Sequence, residues 1–361
     1  MAALNEQIKV SIDDRLKALA TTLGIDTAPL KYEGLSDKDI KVVDILEPAL
    51  RSVSEGNLNQ LSQNVALQMQ GLLPANSNEG DAEFSLVDFW EFYTLFAKCV
   101  PYRHIGQRLI SGTIEELYKL GEVSKLSFPQ ATFLESGGFI NTYSIHKIEN
   151  PNWKDLPAFR EILRENWIDP TSEEVQGEEI PYIHSQWLNF NSWASRLHGS
   201  GIVDLSNFAI WSIRSGLEKN LDKLEEDLSR AFEENLKNLG EAAEEQSEDQ
   251  VGEGNKIMSD IGKSASTRIA VAGEWFIQAS PQLLRQSLLA GSRPPFTIED
   301  ARRYRPGSLF KGDSSFNLER WGFWNRRLRE SGETVTDEYV KRSIEEALEK
   351  MTDAEAAIAG Q

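Results

Sequence analysis

An all-α fold is predicted by three features of the 361-residue chain. Apolar residues recur at spacings of three and four along most segments, the period of one helix face. Short extended pieces are suggested only within 121–152, and the nine Trp residues fall largely on the helical stripes. The reading is a single irregular domain over 1–355 with roughly a dozen helices, a Trp-rich core, one long acidic amphipathic helix, and a tail at 356–361.

Size and composition bound the function. A chain of this length can bury a substantial core, and with 40% hydrophobic residues disorder over the whole length is not expected. The formal charge of −19 repels phosphate backbones, so general nucleic-acid binding is disfavoured. A single cysteine, Cys99, excludes an intramolecular disulfide and any zinc site built from several cysteines. The start, Met1-Ala-Ala-Leu-Asn-Glu, has neither a basic beginning nor a long apolar run, so no signal peptide is expected. No segment approaches the ~18 apolar residues that cross a bilayer. A cytoplasmic protein is expected, with the nucleus left open.

The elements follow in order. Ile8, Ile12, Leu16, Leu19 and Leu23 mark a helix that Gly24 stops. Ser36 is placed to cap the next, with Asp37 and Asp39 beside the positive end of its dipole and Pro48 as a point of kinking. Leu61, Val65 and Met69 mark a third helix, and 74–82 reads as an exposed loop. Trp90, Tyr93, Phe96, Ala97 and Val100 cluster on the wheel of a helix begun by Ser85 and ended by Pro101; Cys99 lies inside it and reads as a small core residue. A helix from His104 to Leu120 follows, and then the irregular segment 121–152. Trp153 to Trp167 resumes helix.

The centre of the chain is Gln186 to Leu217. Ile183, Trp187, Phe190, Trp193, Ala194 and Leu197 fall within about a third of a helical circumference, which makes a buried face. After the turn His198-Gly199-Ser200-Gly201, Asp204 or Ser206 caps a second helix whose stripe steps through Ile210, Ile213, Leu217, Leu221, Leu224, Leu228 and Phe232, with no Gly or Pro between Leu217 and Leu239. Its far half is acidic: from Glu218 to Glu253 thirteen Asp or Glu face four Lys or Arg. Residues 240–255 carry almost no apolar side chain and read as a mobile acidic linker. Ile269, Ala272, Trp275, Phe276 and Ala279 form another helix, and Leu283, Leu284 and Leu288 a separate one after Pro281. Trp321, Trp324 and Leu328 mark a helix flanked by Arg320 and Arg327, and the last runs from about Thr336 to Ile358.

Several sites are excluded by spacing. His184 and His198 are fourteen residues apart on one helix, about 21 Å at 1.5 Å per residue, too far to share an ion. His104 has no ligand partner at helical spacing and His146 lies in the irregular segment, so no metal and no cofactor are expected. Gly262-Lys263-Ser264 resembles the end of a phosphate loop, but Ile257 stands where that motif needs Gly. Asp13-Asp14 lacks the third carboxylate of a prenyl-diphosphate magnesium site, and no Gly-x-Ser-x-Gly elbow occurs. Charge segregation survives: Arg285 to Arg329 holds ten Arg or Lys and four Asp or Glu, interleaved with Phe296, Tyr304, Phe310, Phe316, Trp321, Phe323 and Trp324. The bland account is that Arg302, Arg303, Arg305, Arg326 and Arg327 pair with the acidic helix or solvate the surface.

Trp153-Lys-Asp-Leu-Pro, Trp187-x-x-Phe-Asn-Ser-Trp-Ala, Phe208-Ala-Ile-Trp-x-Ile-Arg-x-x-Leu-Glu218, Ala272-Gly-Glu-Trp275-Phe and Leu318-Glu-Arg-Trp-Gly-Phe-Trp324 together resemble a fungal family filed as domain of unknown function 3632. The resemblance runs from about Leu86 to Met351 and rests on packing motifs. It implies an all-helical, single-domain protein of filamentous fungi, and it supplies no activity. Two functions follow. The first is a non-enzymatic interaction or scaffold protein that holds a protein partner through Arg302, Arg303, Arg305, Arg320, Arg326 and Arg327 or through Glu225 and Glu226. The second is a small-molecule-binding protein or enzyme with an aromatic pocket among Trp187, Trp193, Trp211 and Trp275, flanked by His198 and Arg214. Its oligomeric state is open.

Overall fold

The computed structural model describes residues 14–28, 30, 37–72, 86–121, 153–172, 183–223, 226, 229–230, 264–289 and 297–360. The side chains of residues 38, 299 and 300 are excepted. Every described element is helical, and no strand occurs among the described residues. The chain divides into two compact units, Met1–Ile168 and Asp169–Gln361. The loop 74–82, the segment 122–152, the linker 240–255 and the cap Ser36 lie outside the described residues.

The first unit holds α1 (14–23), α2 (Asp37–Ser52), α3 (Leu58–Leu72), α4 (Leu86–Cys99), α5 (Ile105–Leu120), a 3₁₀ turn at Trp153–Asp155 and α6 (Phe159–Glu165). Helix α3 packs on α5 and on α2, and α4 packs on α6. Pro48 sits inside α2 without ending it. The aromatic stripe of α4 is the core: Trp90 lies 4.8 Å from Phe159 and edge-on to Trp153 at 6.2 Å. Its indole donates to the Pro157 carbonyl at 2.8 Å, and the Tyr93 hydroxyl donates to the Ile110 carbonyl at 2.8 Å. Cys99 is fully buried, and burial is the main cause pushing its thiol pKa up, so it is a core residue and no nucleophile. The helix expected over Trp153 to Trp167 is broken. Pro157 has no N–H to give and disfavours helical backbone at Leu156, which takes φ 42°, with Ala158 at φ 61°.

The second unit holds α7 (His184–Gly199), α8 (Ser206–Leu217), α9 (Ser264–Leu289), α10 (Ile298–Arg303), α11 (Leu318–Thr334) and α12 (Glu338–Ala359). Helix α9 is the axis, packing against α7, α8, α11 and α12. It runs unbroken through Pro281, where the sequence predicts two helices. Tertiary packing decides this, because both flanks of the proline are buried: Ala272, Trp275, Phe276 and Ala279 before it, Leu283 and Leu284 after.

Two glycines set how close the helices come. A Cβ on Gly199 would stand 2.0 Å from the Gln278 carbonyl oxygen, and one on Gly216 would stand 2.3 Å from that of Arg268. Both α7 and α8 therefore touch the backbone of α9 through residues without side chains. Gly216→Ala is expected to push α8 from α9 and lower stability by about 1–3 kcal/mol, the range for overpacking a core. Thermal unfolding would show this as a lower melting temperature, and an unchanged one would refute the close approach.

Helix α8 ends at Leu217, so the predicted acidic helix through Phe232 is not continuous. Glu218 to Asn220 leave the helix, residues 221–223 are helical again, and residues beyond 230 in this span are not described. Asp204 caps α8 from the preceding turn, accepting from the Ser206 amide at 3.0 Å and from its hydroxyl. Ser206 itself is the first helical residue.

Candidate functional site

The six residues predicted to line a pocket are divided between two places. Helix α7 carries Trp187 and Trp193 on its buried face, α9 carries Trp275, and all three are at most 2% exposed. Phe190 stacks on Trp193 at 6.0 Å and 21°. The Trp275 indole donates to Asn191 Oδ1 at 3.1 Å, and the Ser212 hydroxyl donates to the same oxygen at 2.8 Å. Asn191 Nδ2 donates to the Trp187 carbonyl at 3.0 Å. One amide thus joins α7, α8 and α9, a satisfied polar point that fixes their register. Nearby, the Ser192 hydroxyl donates to the buried Glu274 carboxylate at 2.8 Å.

His198, at the end of α7, is buried with its ring centroid 6.0 Å from that of Trp275. Its Nδ1 lies 3.2 Å from the Leu205 amide nitrogen and 3.4 Å from the Val203 carbonyl oxygen. Burial is the main cause pulling its pKa below the ordinary imidazole value, with Asp204 and the Val203 carbonyl opposing. Nε2 is buried and meets no hydrogen-bond partner among the described residues.

Trp211 and Arg214 belong elsewhere, because they share the face of α8 turned away from Ser212 and Gly216. The Trp211 indole donates to the Arg303 carbonyl at 3.1 Å, and Arg214 Nη1 donates to the Arg305 carbonyl at 2.9 Å. Both touch the Arg-rich segment, not the indole core.

That segment is held by a buried ion pair. Glu218 and Arg320 have side chains 0% exposed. Glu218 Oε1 accepts from Arg320 Nε and from the Trp324 indole, each at 2.7 Å. Oε2 accepts from Arg320 Nη2 at 3.0 Å and from the Gly307 amide at 2.8 Å. Arg320 Nη1 donates to the carbonyls of Tyr304 at 2.8 Å and Ser315 at 3.2 Å. The Glu218 carbonyl accepts from the Leu309 amide at 2.9 Å, and Arg327 Nε donates to the Leu217 carbonyl at 3.2 Å. Gly307 is required here, since a Cβ would stand 2.4 Å from the Glu218 carbonyl oxygen. The pair therefore pins 304–315 onto the ends of α8 and α11, and cations gather where the α8 dipole is negative.

Arg320 is thus no surface residue, which corrects its place in the predicted docking face. A guanidinium can be buried here because all five of its N–H groups have acceptors in reach, with Arg305 O the longest at 3.5 Å. The aromatics of the segment are also committed to the core: Phe310, Phe316, Trp321, Phe323 and Trp324 are buried. Phe316 meets Trp324 at 5.8 Å and Phe310 meets Phe323 at 5.2 Å. They offer no platform for stacking bases.

Arg302, Arg303 and Arg305 are exposed, and none is ion-paired among the described residues. Arg326 is exposed, 3.9 Å from Glu330, and half-buried Arg327 pairs with Glu330 at 2.6 Å. Glu226 is exposed, and Glu225 lies outside the described residues. Sequence reasoning missed the Glu218–Arg320 clamp. Its available signal was one acid and one base each intruding on an apolar helical stripe, beside Leu217 in one helix and beside Trp321 in the other.

No group of three or more His, Cys, Asp or Glu among the described residues could hold a metal ion. No described helix is long and apolar enough to cross a membrane. No curated protein and no solved structure matches the chain. One family model does, over residues 90–328, and its description is protein of unknown function (DUF3632).

Proposed function

We propose, for a chain that belongs to the DUF3632 family, a non-enzymatic role in holding a protein partner, with exposed Arg302, Arg303, Arg305 and Arg326 as the docking face. The observation that supports this is the fixing of three successive carbonyls. Arg303, Tyr304 and Arg305 each give theirs to a side chain of another element, Trp211, Arg320 and Arg214. Three guanidiniums that have no ion-pair partner among the described residues therefore project from a held backbone, so little ordering entropy remains to be lost on binding. In a chain of net charge −19 such a face suits an acidic segment of a partner, by charge complementarity.

The test is affinity purification of the tagged chain from its native cells at about 50 mM salt, where charge contacts are weakly screened. Arg302→Glu, Arg303→Glu and Arg305→Glu combined in one variant should lose the partners while keeping the wild-type melting temperature. Recovery of the same partners in the same yield would remove this face from the function.

A second reading, a small-molecule site in the Trp187, Trp193 and Trp275 core, is favoured by one observation, the Nε2 of His198 beside the Trp275 ring, which has no hydrogen-bond partner among the described residues. Native mass spectrometry of the purified chain decides it: the reading requires a retained mass that denaturation releases.

A further inference from the structure

Arg214 is half-buried on α8, and its one hydrogen-bond acceptor among the described residues is the Arg305 carbonyl. No carboxylate among the described residues pairs with it. The acid just past the end of its helix, Glu218, is already engaged by four donors at 2.7 to 3.0 Å from Arg320, Trp324 and Gly307. Burial pushes the Arg214 pKa down, the Arg305 and Arg320 charges push the same way, and Glu218 opposes them. Three guanidiniums, of which Arg305 and Arg320 both act on Arg214, thus share one carboxylate, and two of them have no ion-pair partner among the described residues. A half-buried cation in this position is stabilised by any anion that reaches it.

We propose that Arg214 and Arg305 form an oxyanion site for a phosphoryl group carried by the partner's acidic segment. The inference rests on the docking reading and names the group which that face recognises. Two guanidiniums without an ion-pair partner among the described residues match a phosphate monoester, which carries about −1.5 to −2 at neutral pH, better than a single carboxylate. The guanidinium edge offers paired N–H groups to a tetrahedral oxyanion. Arg214 spends Nη1 on the Arg305 carbonyl and so is held in place, while Arg305 is exposed and its side chain is unpaired among the described residues. Arg302 and Arg303, exposed on the same clamped segment, supply the rim that attracts the acidic flanks.

The experiment uses the purified full chain in two arms. In the first, thermal unfolding is followed against inorganic phosphate or acetate at matched ionic strength and about pH 7.5, where phosphate is largely dianionic. Phosphate should raise the melting temperature saturably, acetate should not, and Arg305→Gln should lose the response while keeping the unliganded melting temperature. An equal response to acetate, or a response retained in Arg305→Gln, overturns the site. In the second arm, a fluorescent acidic peptide with one phosphoserine should bind at least about tenfold more tightly than the same peptide unphosphorylated. Equal binding overturns the assignment to a phosphoryl group on a partner, even where free phosphate binds. Phosphate binding with no partner captured from cells supports the anion site and sinks the docking face, and partner capture indifferent to phosphate does the reverse.

Discussion

Replacing Glu218 by alanine is expected to destabilise the protein by about 3–5 kcal/mol, because it strands the buried Arg320 charge without its partner. The loss is not confined to one ion pair. The Trp324 indole and the Gly307 amide would also lose their acceptor, in a place where water does not replace it. With the carboxylate gone, the Leu309 amide still reaches the Glu218 carbonyl, so the loop keeps one backbone tie and loses its side-chain ties. Urea unfolding would show the shift in midpoint, and limited trypsin digestion would show faster cleavage at Arg302 and Arg303. Glu218→Leu with Arg320→Met is the informative companion, since replacing both charges by apolar groups is often close to neutral. Here recovery should be incomplete, because Arg320 also serves the Tyr304 and Ser315 carbonyls. A loss below about 1 kcal/mol for Glu218→Ala would mean that the pair behaves as a surface salt bridge.

The clamp also explains which features were legible from sequence. Periodicity depends on neighbours within a few residues, so α4, α5, α7 and α11 follow directly from the stripes of Trp90, Leu109, Trp187 and Trp324. The Trp-rich core follows too, because a wheel shows which side is apolar. Where a helix continues or stops is set by residues far away. The stripe after Leu217 is unbroken in sequence, yet α8 ends there, because Glu218 is drawn inward to Arg320, 102 residues on. Pro281 looks like a helix start, yet α9 passes through it because the residues on both sides are buried. The candidate site shows the same division. Trp211 and Trp275 are alike in sequence, and only tertiary structure sends one indole to the Arg303 carbonyl and the other to Asn191.

Trp275→Ala carries the second large effect, an expected loss of about 3–5 kcal/mol for an indole removed from a filled core. Two parts of that loss can be separated. The ring is 0% exposed on the axial helix α9, so its removal leaves a void between α7 and α9 that neighbours fill only in part. The indole N–H is a smaller part, since Asn191 Oδ1 keeps the Ser212 hydroxyl as a donor when Trp275 is lost. Trp275→Phe, which keeps most of the ring and removes the N–H, should therefore cost less than half as much, within about 1–2 kcal/mol. Urea unfolding of the two variants measures the difference. If Trp275 is packing alone, both variants keep the partners held by the Arg302, Arg303 and Arg305 face, because those arginines are fixed by Trp211, Arg320 and Arg214. If Trp275→Phe remains folded but loses a mass retained by the native chain, the indole serves a ligand, and the small-molecule reading displaces the docking one.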